Sequence, residues 1–160
     1  MLTLGVESSA HTFGIGIVDD GKILANEKSM YKIGTTGMIP KKVAEFHVEN
    51  SSSVLEMALA RAGVKASEIG GIAYTRGPGI GSCLQVGQTV AKTLAQRLGI
   101  PIAPVNHGIG HIEIGRPSRR LSPRQDQGRH LLRSCQACFR CLCRRSHREH
   151  YSASSFPLII

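Results

Sequence analysis

Apolar and polar positions along the first thirty residues follow a β-type pattern. Residues 1–6, MLTLGV, are apolar and rich in β-formers, and predict a strand. ESSAH follows as a polar turn. TFGIGIVDD, residues 12–20, predicts a second strand with Phe13, Ile15 and Ile17 on one face and Gly14 and Gly16 on the other. Asp20-Gly21 is a hairpin signal, and Lys22 to Met30 reads as a third strand. Ile33 to Ile39 is a glycine-containing loop that stops at Pro40, which suits the first position of a helix because its missing N–H would have had no partner there. The period then changes. Val43, Phe46, Val54, Leu55, Ala58 and Leu59 fit helical spacing from Lys41 to about Ala62, and Gly63 ends the run. Ser51-Ser52-Ser53 weakens the middle, and Ser53 with Glu56 forms a capping-box pattern, so the stretch admits two helices.

Ile69 to Tyr74 is a short apolar strand, and TRGPGIGS a glycine loop. Leu84 to Leu98 predicts a helix with Leu84, Ala91, Leu94, Ala95 and Leu98 on one face and Gly99 as its cap. Ile100 to Val105 is a strand whose Pro101 and Pro104 argue for a sheet edge or a strand entrance. Asn106 is a good N-cap for a helix from His107 to Glu113. The order β-β-β-α-β-α-β-α predicts an α/β fold: a mixed sheet opening with three antiparallel strands, with helices packed on it. No internal repeat is visible, and no period holds after Gly115.

Composition changes this picture at one place. The 160 residues carry a net charge of +9, which by itself would suggest nucleic acid as a partner. Residues 1–115, however, hold seven Lys and three Arg against nine acids, a net of only +1. Residues 116–160 hold ten Arg, no Lys and two acids, together with four of the five Cys. A solvated basic face needs only positive charge, which Lys supplies as readily as Arg. Exclusion of Lys beside many Arg, Ser and Cys is what a slipped reading frame produces. The chain is therefore divided into a domain at 1–115 and an Arg/Cys-rich tail at 116–160, read as frameshifted or non-native and disordered. No apolar run is long enough to span a bilayer, and MLTLGVESS lacks the basic start and apolar core of a signal peptide. The expectation is a cytoplasmic protein with no membrane partner.

Four constellations carry candidate chemistry. His107 and His111, spaced i and i+4 on a helix, face one way and can share a metal ion, although two ligands leave a site short of a third. The zinc-peptidase pattern needs a Glu after the first His, and Gly108 stands there. The stretch Gly77 to Ser82, GPGIGS, lies between a strand and a helix N-terminus, a place that favours an anion or simply a tight turn. Glu7, Ser8, Ser9 and His11 form a polar end to the first strand, either facing a ligand cleft or making an ordinary turn. CQACFRCLC in the tail has the C-x2-C-x2-C spacing of an iron–sulfur motif. An Arg-rich nucleic-acid-binding module, or a metal-cluster module through Cys135, Cys138, Cys141 and Cys143, is the alternative to an enzyme.

Taken in order, MLTLGVESSAHTFGIGIV, GMIPKKVAEFH, TRGPGIGSCLQVGQTVAKTLA and PVNHGIGHIEIGR resemble the N-terminal part of the universal tRNA threonylcarbamoyladenosine synthases. These are the catalytic subunits of the archaeal and eukaryal KEOPS complex, called TsaD in bacteria and formerly described as O-sialoglycoprotein endopeptidases. The opening ESSAHT and the wording HIEIGR are archaeal or eukaryal in character. The resemblance covers about residues 1–116. It implies an actin-like, sugar-kinase-like (ASKHA) fold of two related lobes around a cleft, of which residues 1–115 form the N-terminal one. It implies an acyltransferase that moves threonylcarbamoyl from threonylcarbamoyl-adenylate to the tRNA adenosine next to the anticodon. It implies one divalent metal per subunit, iron or zinc, held by His107 and His111, where it would polarise and orient the carbamoyl group. It implies tRNA, the adenylate, and kinase-like and small accessory KEOPS subunits as partners. Pro40 and His47 match the family's G-x-x-P…H motif, and Gly77, Gly79 and Gly81 its glycine loop.

The chain departs from the family pattern at Ile39 and Lys41, where relatives have His-Pro-Arg, and at Gly108 and Gly110, where Cys and Ala are usual. After Arg116 neither the next strand nor the second lobe, with its nucleotide-binding glycines and distal Asp ligand, is recognisable. The sequence thus reads as a truncated or frameshifted family member, about half the family's length. It is expected to be inactive alone, to bind metal weakly through two His, and to be prone to aggregate through an uncovered face.

Overall fold

The computed structural model describes residues 1–34 and 37–115, with side chains as far as His111. The expected Arg/Cys-rich tail, with Cys135, Cys138, Cys141 and Cys143, lies outside the described residues. The elements come in the predicted order: β1 (Leu2–Glu7), β2 (Thr12–Asp19), β3 (Lys22–Met30), α1 (Pro40–Ala62), β4 (Gly71–Gly77), α2 (Gly81–Leu98), β5 (Ile102–Asn106) and α3 (His107–Gly115), with one 3-10 turn at Ala66–Glu68.

The strands form one mixed sheet in the order β3-β2-β1-β4-β5. β1 pairs antiparallel with β2, and β2 with β3, closing the opening meander. β1 pairs in parallel with β4, and β4 with β5. A central parallel strand is covered on both faces and needs a continuous apolar run rather than alternation. β1 meets this: Thr3 to Glu7 are all buried. β5, with Pro104 in it, takes an edge of the sheet among the described residues, where a proline is tolerated.

The two faces of the sheet differ. Leu4 and Val6 stand beside Ile17 and Ile15 of β2 and Ile72 and Tyr74 of β4. With Phe13 they form the core under Val54 and Ala58 of α1 and Ala91 and Ala95 of α2. The opposite phase is made of small residues, Gly5 beside Gly16 and Ala73, and continues at the strand ends into Glu7 and Thr75. Glu7 and Thr75 therefore share the face turned away from the core.

α1 is one helix of 23 residues, not two. The serine run does not break it because Ser51 and Ser53 donate their hydroxyls to the carbonyls of Val48 and Asn50, three residues back. Gly63, at φ 68°, closes it: its N–H and that of Val64 donate to the carbonyls of Ala60 and Leu59. α2 starts at Gly81 rather than Leu84, and its inner face runs Cys83, Gly87, Ala91, Ala95. Small residues there let the helix lie close against the sheet. β4 runs to Gly77 rather than stopping at Tyr74, because Thr75 and Gly77 still pair with Val105 and Asn106 of β5.

Candidate metal centre

The carboxyl ends of the three parallel strands, β1, β4 and β5, lie side by side, the part of an open α/β sheet where ligands characteristically bind. Each contributes one part of the site. β1 ends in Glu7, β4 carries Thr75 near its end, and β5 runs directly into α3, whose first residue is His107. Asn106 closes the last strand and caps the helix, its Oδ1 accepting the Ile109 N–H at 3.1 Å. This junction sets the helix direction and so places His107 and His111 one turn apart on one side.

The two imidazoles converge. Their Nε2 atoms are 3.0 Å apart and the rings stand nearly perpendicular, at 87°. Two imidazole nitrogens on one tetrahedral ion, each about 2.0–2.1 Å from it, lie roughly 3.3 Å apart. The pair therefore fits a single ion with little adjustment. On the other side of its ring, His107 Nδ1 is 3.3 Å from Glu7 Oε2. The same carboxylate oxygen accepts the Thr75 hydroxyl, and Oε1 accepts the Ser9 N–H at 2.6 Å. Glu7 is thus a buried carboxylate with two donors and the His107 ring beside it, tying β1, β4 and the start of α3 together. Among the described residues no group of three or more His, Cys, Asp or Glu converges as a ligand set, so the donor set here is the His107–His111 pair with its carboxylate support.

Of the other expected site residues, only Ser9 joins this centre, through its backbone N–H on Glu7. Ser8 and Ser9 are buried against α2 and the glycine loop. A Cβ on Gly79 would come within 2.9 Å of Ser9 Cα, and the Ile80 N–H donates to the Ser9 carbonyl at 2.7 Å. The glycine of this loop is required by close backbone approach. Gly77 ends β4 at φ 146°, and Gly81 opens α2, whose first turn has no side-chain cap. An uncapped first turn leaves N–H groups that favour an anion. His11 is half-buried in the loop between β1 and β2, its carbonyl accepting the Tyr31 N–H at 2.8 Å.

His47 braces that loop from below. It sits on the apolar face of α1, fully buried, against Phe13 and Phe46. Its Nε2–H donates to the Ala10 carbonyl at 2.8 Å, and Nδ1 is buried without a partner. Burial holds its pKa below 6.5, against the opposing effects of the Ala10 hydrogen bond and the Glu7 charge, while His11 adds to the lowering. Sequence reasoning missed Thr75 and Gly87. A hydroxyl at the end of an otherwise apolar strand, IGGIAYT, was the available signal for Thr75. Gly87 gave none: it is there because a Cβ would come within 2.8 Å of Ser8 Cβ.

The sheet, its two covering helices and the polar group at the strand ends define an actin-like, sugar-kinase-like lobe. Two solved structures share that fold: YeaZ from Pseudomonas aeruginosa (TM-score 0.57, 20% identity, 70% of this chain and 46% of that one) and Thermus thermophilus RuvC in complex with a Holliday junction substrate (0.51, 12%, 89% and 96%). A model of the TsaD family, tRNA N6-adenosine threonylcarbamoyltransferase, matches residues 21–131, and the chain belongs to this family. The proteins of that name from Pyrobaculum neutrophilum and Methanopyrus kandleri are 48% and 46% identical to it, over 72% and 79% of this chain. A probable bifunctional tRNA threonylcarbamoyladenosine biosynthesis protein of Thermoplasma volcanium is 48% identical over 79% of it. The matched part spans only 35%, 36% and 23% of those relatives' own lengths.

Proposed function

We propose that residues 1–115 are the metal-holding lobe of a tRNA N6-adenosine threonylcarbamoyltransferase. The observation that carries this reading is the convergence of His107 and His111 Nε2 on one point, 3.0 Å apart, in a chain of that family. The pair would hold one divalent ion, iron or zinc, which when bound supplies a Lewis acid and a template for a carbonyl oxygen. The lobe's own residues do the positioning. Glu7 holds the His107 ring, Thr75 and the Ser9 N–H hold Glu7, and Asn106 sets the start of α3. The uncapped first turn of α2 is suited to the negative charge of an adenylate. In this reading tRNA and threonylcarbamoyl-adenylate are the substrates, kinase-like and small accessory subunits the neighbours, and the cytoplasm the compartment. No helix among the described residues is long and apolar enough to cross a membrane.

The test is a chimera. Residues 1–115 replace the matching segment of the Pyrobaculum neutrophilum relative, and transfer of labelled threonine to tRNA is measured. Activity that disappears with His107→Ala and His111→Ala supports the reading. A folded chimera without activity, or one indifferent to both substitutions, overturns it. The 160-residue chain alone should give no transfer in the same assay.

A further inference from the structure

Imidazole binds a metal through a nitrogen that carries no proton, and a neutral ring has one such nitrogen. Which one it is depends on what the other nitrogen meets. For His107 the other nitrogen meets Glu7. Its Nδ1 is 3.3 Å from an oxygen that can only accept, since the Glu7 carboxylate already takes the Thr75 hydroxyl and the Ser9 N–H. We infer that Glu7 is the positioning residue of the centre: it fixes the proton of His107 on Nδ1 and so presents the Nε2 lone pair to His111 and to an ion between them. The inference rests on the metal-holding reading above and extends it to a residue that touches no metal.

The surroundings make the assignment directional. Ser9 contributes a backbone N–H, which cannot become an acceptor. Thr75 contributes a hydroxyl, which can. In Glu7→Gln the amide oxygen must therefore face Ser9 N–H, because its NH2 would otherwise oppose another donor. That leaves the NH2 pointing at Thr75 and His107. Thr75 can turn its hydroxyl to accept. His107 can satisfy the NH2 only by giving up the proton on Nδ1, which moves it to Nε2, the atom that faces the ion. A single isosteric change, from oxygen to NH2, thus reverses the ring and closes its lone pair to metal. His111, exposed and held only through His107 among the contacts described, is under no such constraint. With the His107 Nε2 lone pair turned towards it, 3.0 Å away, His111 would donate from Nε2 without an ion and shift its proton to Nδ1 when an ion arrives.

The experiment reads the tautomer and the metal separately on the full chain. Two-bond 1H–15N correlation spectra are recorded without metal, above the ordinary imidazole pKa of about 6.5. Zinc affinity is measured by competition with a chromogenic chelator. The wild type should show His107 protonated on Nδ1. Glu7→Gln should show it on Nε2, with zinc affinity lower by about 10- to 100-fold, the usual cost of losing such an outer partner. Thr75→Val, which keeps the carboxylate and removes one of its anchors, should retain the Nδ1 proton. A wild-type His107 protonated on Nε2 overturns the inference without any variant having to fold. Where the wild type binds zinc, equal affinity in Glu7→Gln overturns it as well. If the wild type binds no zinc while His107 carries its proton on Nδ1 and the Gln variant reverses it, the metal reading fails and the role of Glu7 stands.

Discussion

Gly87 of α2 and Ser8, just after β1, touch so closely that a single added carbon does not fit: a Cβ on Gly87 would lie 2.8 Å from Ser8 Cβ and overlap its hydroxyl. This contact seats the helix on the loop that follows Glu7, and the site inherits its position from it. Gly87→Ala should destabilise the chain by about 1–3 kcal/mol, the range for overpacking a dense interior. Adding Ser8→Gly removes the obstacle and should recover part of the loss. Urea unfolding of the two single variants and the double variant measures this, and costs that simply add would show that the residues are not in contact.

Thr75 holds Glu7 across a sequence separation of 68 residues. Thr75→Val keeps the shape and removes the donor. Hydrogen bonds to charged groups contribute about 1.5–3 kcal/mol, and a loss of that order is expected, with Thr75→Ser retaining most of it. The midpoints of urea denaturation distinguish the two variants.

His47 gives the fold a pH dependence of known sign. Its folded-state pKa lies below 6.5 because burial disfavours the imidazolium. The unfolded chain therefore binds the proton first as pH falls. The stability in question is fully present above about 6.5 and is lost as pH drops from there towards the lowered folded value. His47→Leu should reduce stability at pH 7, by forfeiting the bond to the Ala10 carbonyl, and flatten the slope between pH 6.5 and the acid limb. Thermal melts across that range provide the comparison.

Zinc should raise the melting temperature of the wild-type chain. An ion that binds only the folded state contributes about 2.7 kcal/mol at a hundred times its dissociation constant. His107→Ala and His111→Ala should each abolish most of the shift while leaving the metal-free melt nearly unchanged for His111, which is exposed. A shift that survives both substitutions would place the zinc elsewhere.

Much of this architecture is written in local chemistry. Asp20-Gly21 and Gly63 sit in turn and cap geometries, with φ of 42°, 95° and 68°, and Pro40 starts α1 as its ring dictates. The His107–His111 pair is legible because helical spacing alone brings the rings together. What escaped is what depends on where side chains end up once the chain is folded. Ser51 and Ser53 look like a helix break until their hydroxyls find carbonyls one turn back. Gly81-Ser82-Cys83 lacks an apolar period, so α2 seems to begin at Leu84, yet Cys83 is fully buried. Glu7 and Thr75 have no relation until β1 and β4 lie parallel, and only then does the carboxylate stand behind His107.

Asn106 belongs to two elements at once, the last residue of β5 and the cap of α3. No hinge separates the sheet edge from the histidines, so the pair cannot be reoriented without dragging the strand along its neighbour. Loading the centre with an ion should thus act as a rivet at the sheet margin: amide hydrogen exchange along Ile102–Asn106 should slow together with that of α3, although the ion touches only the helix.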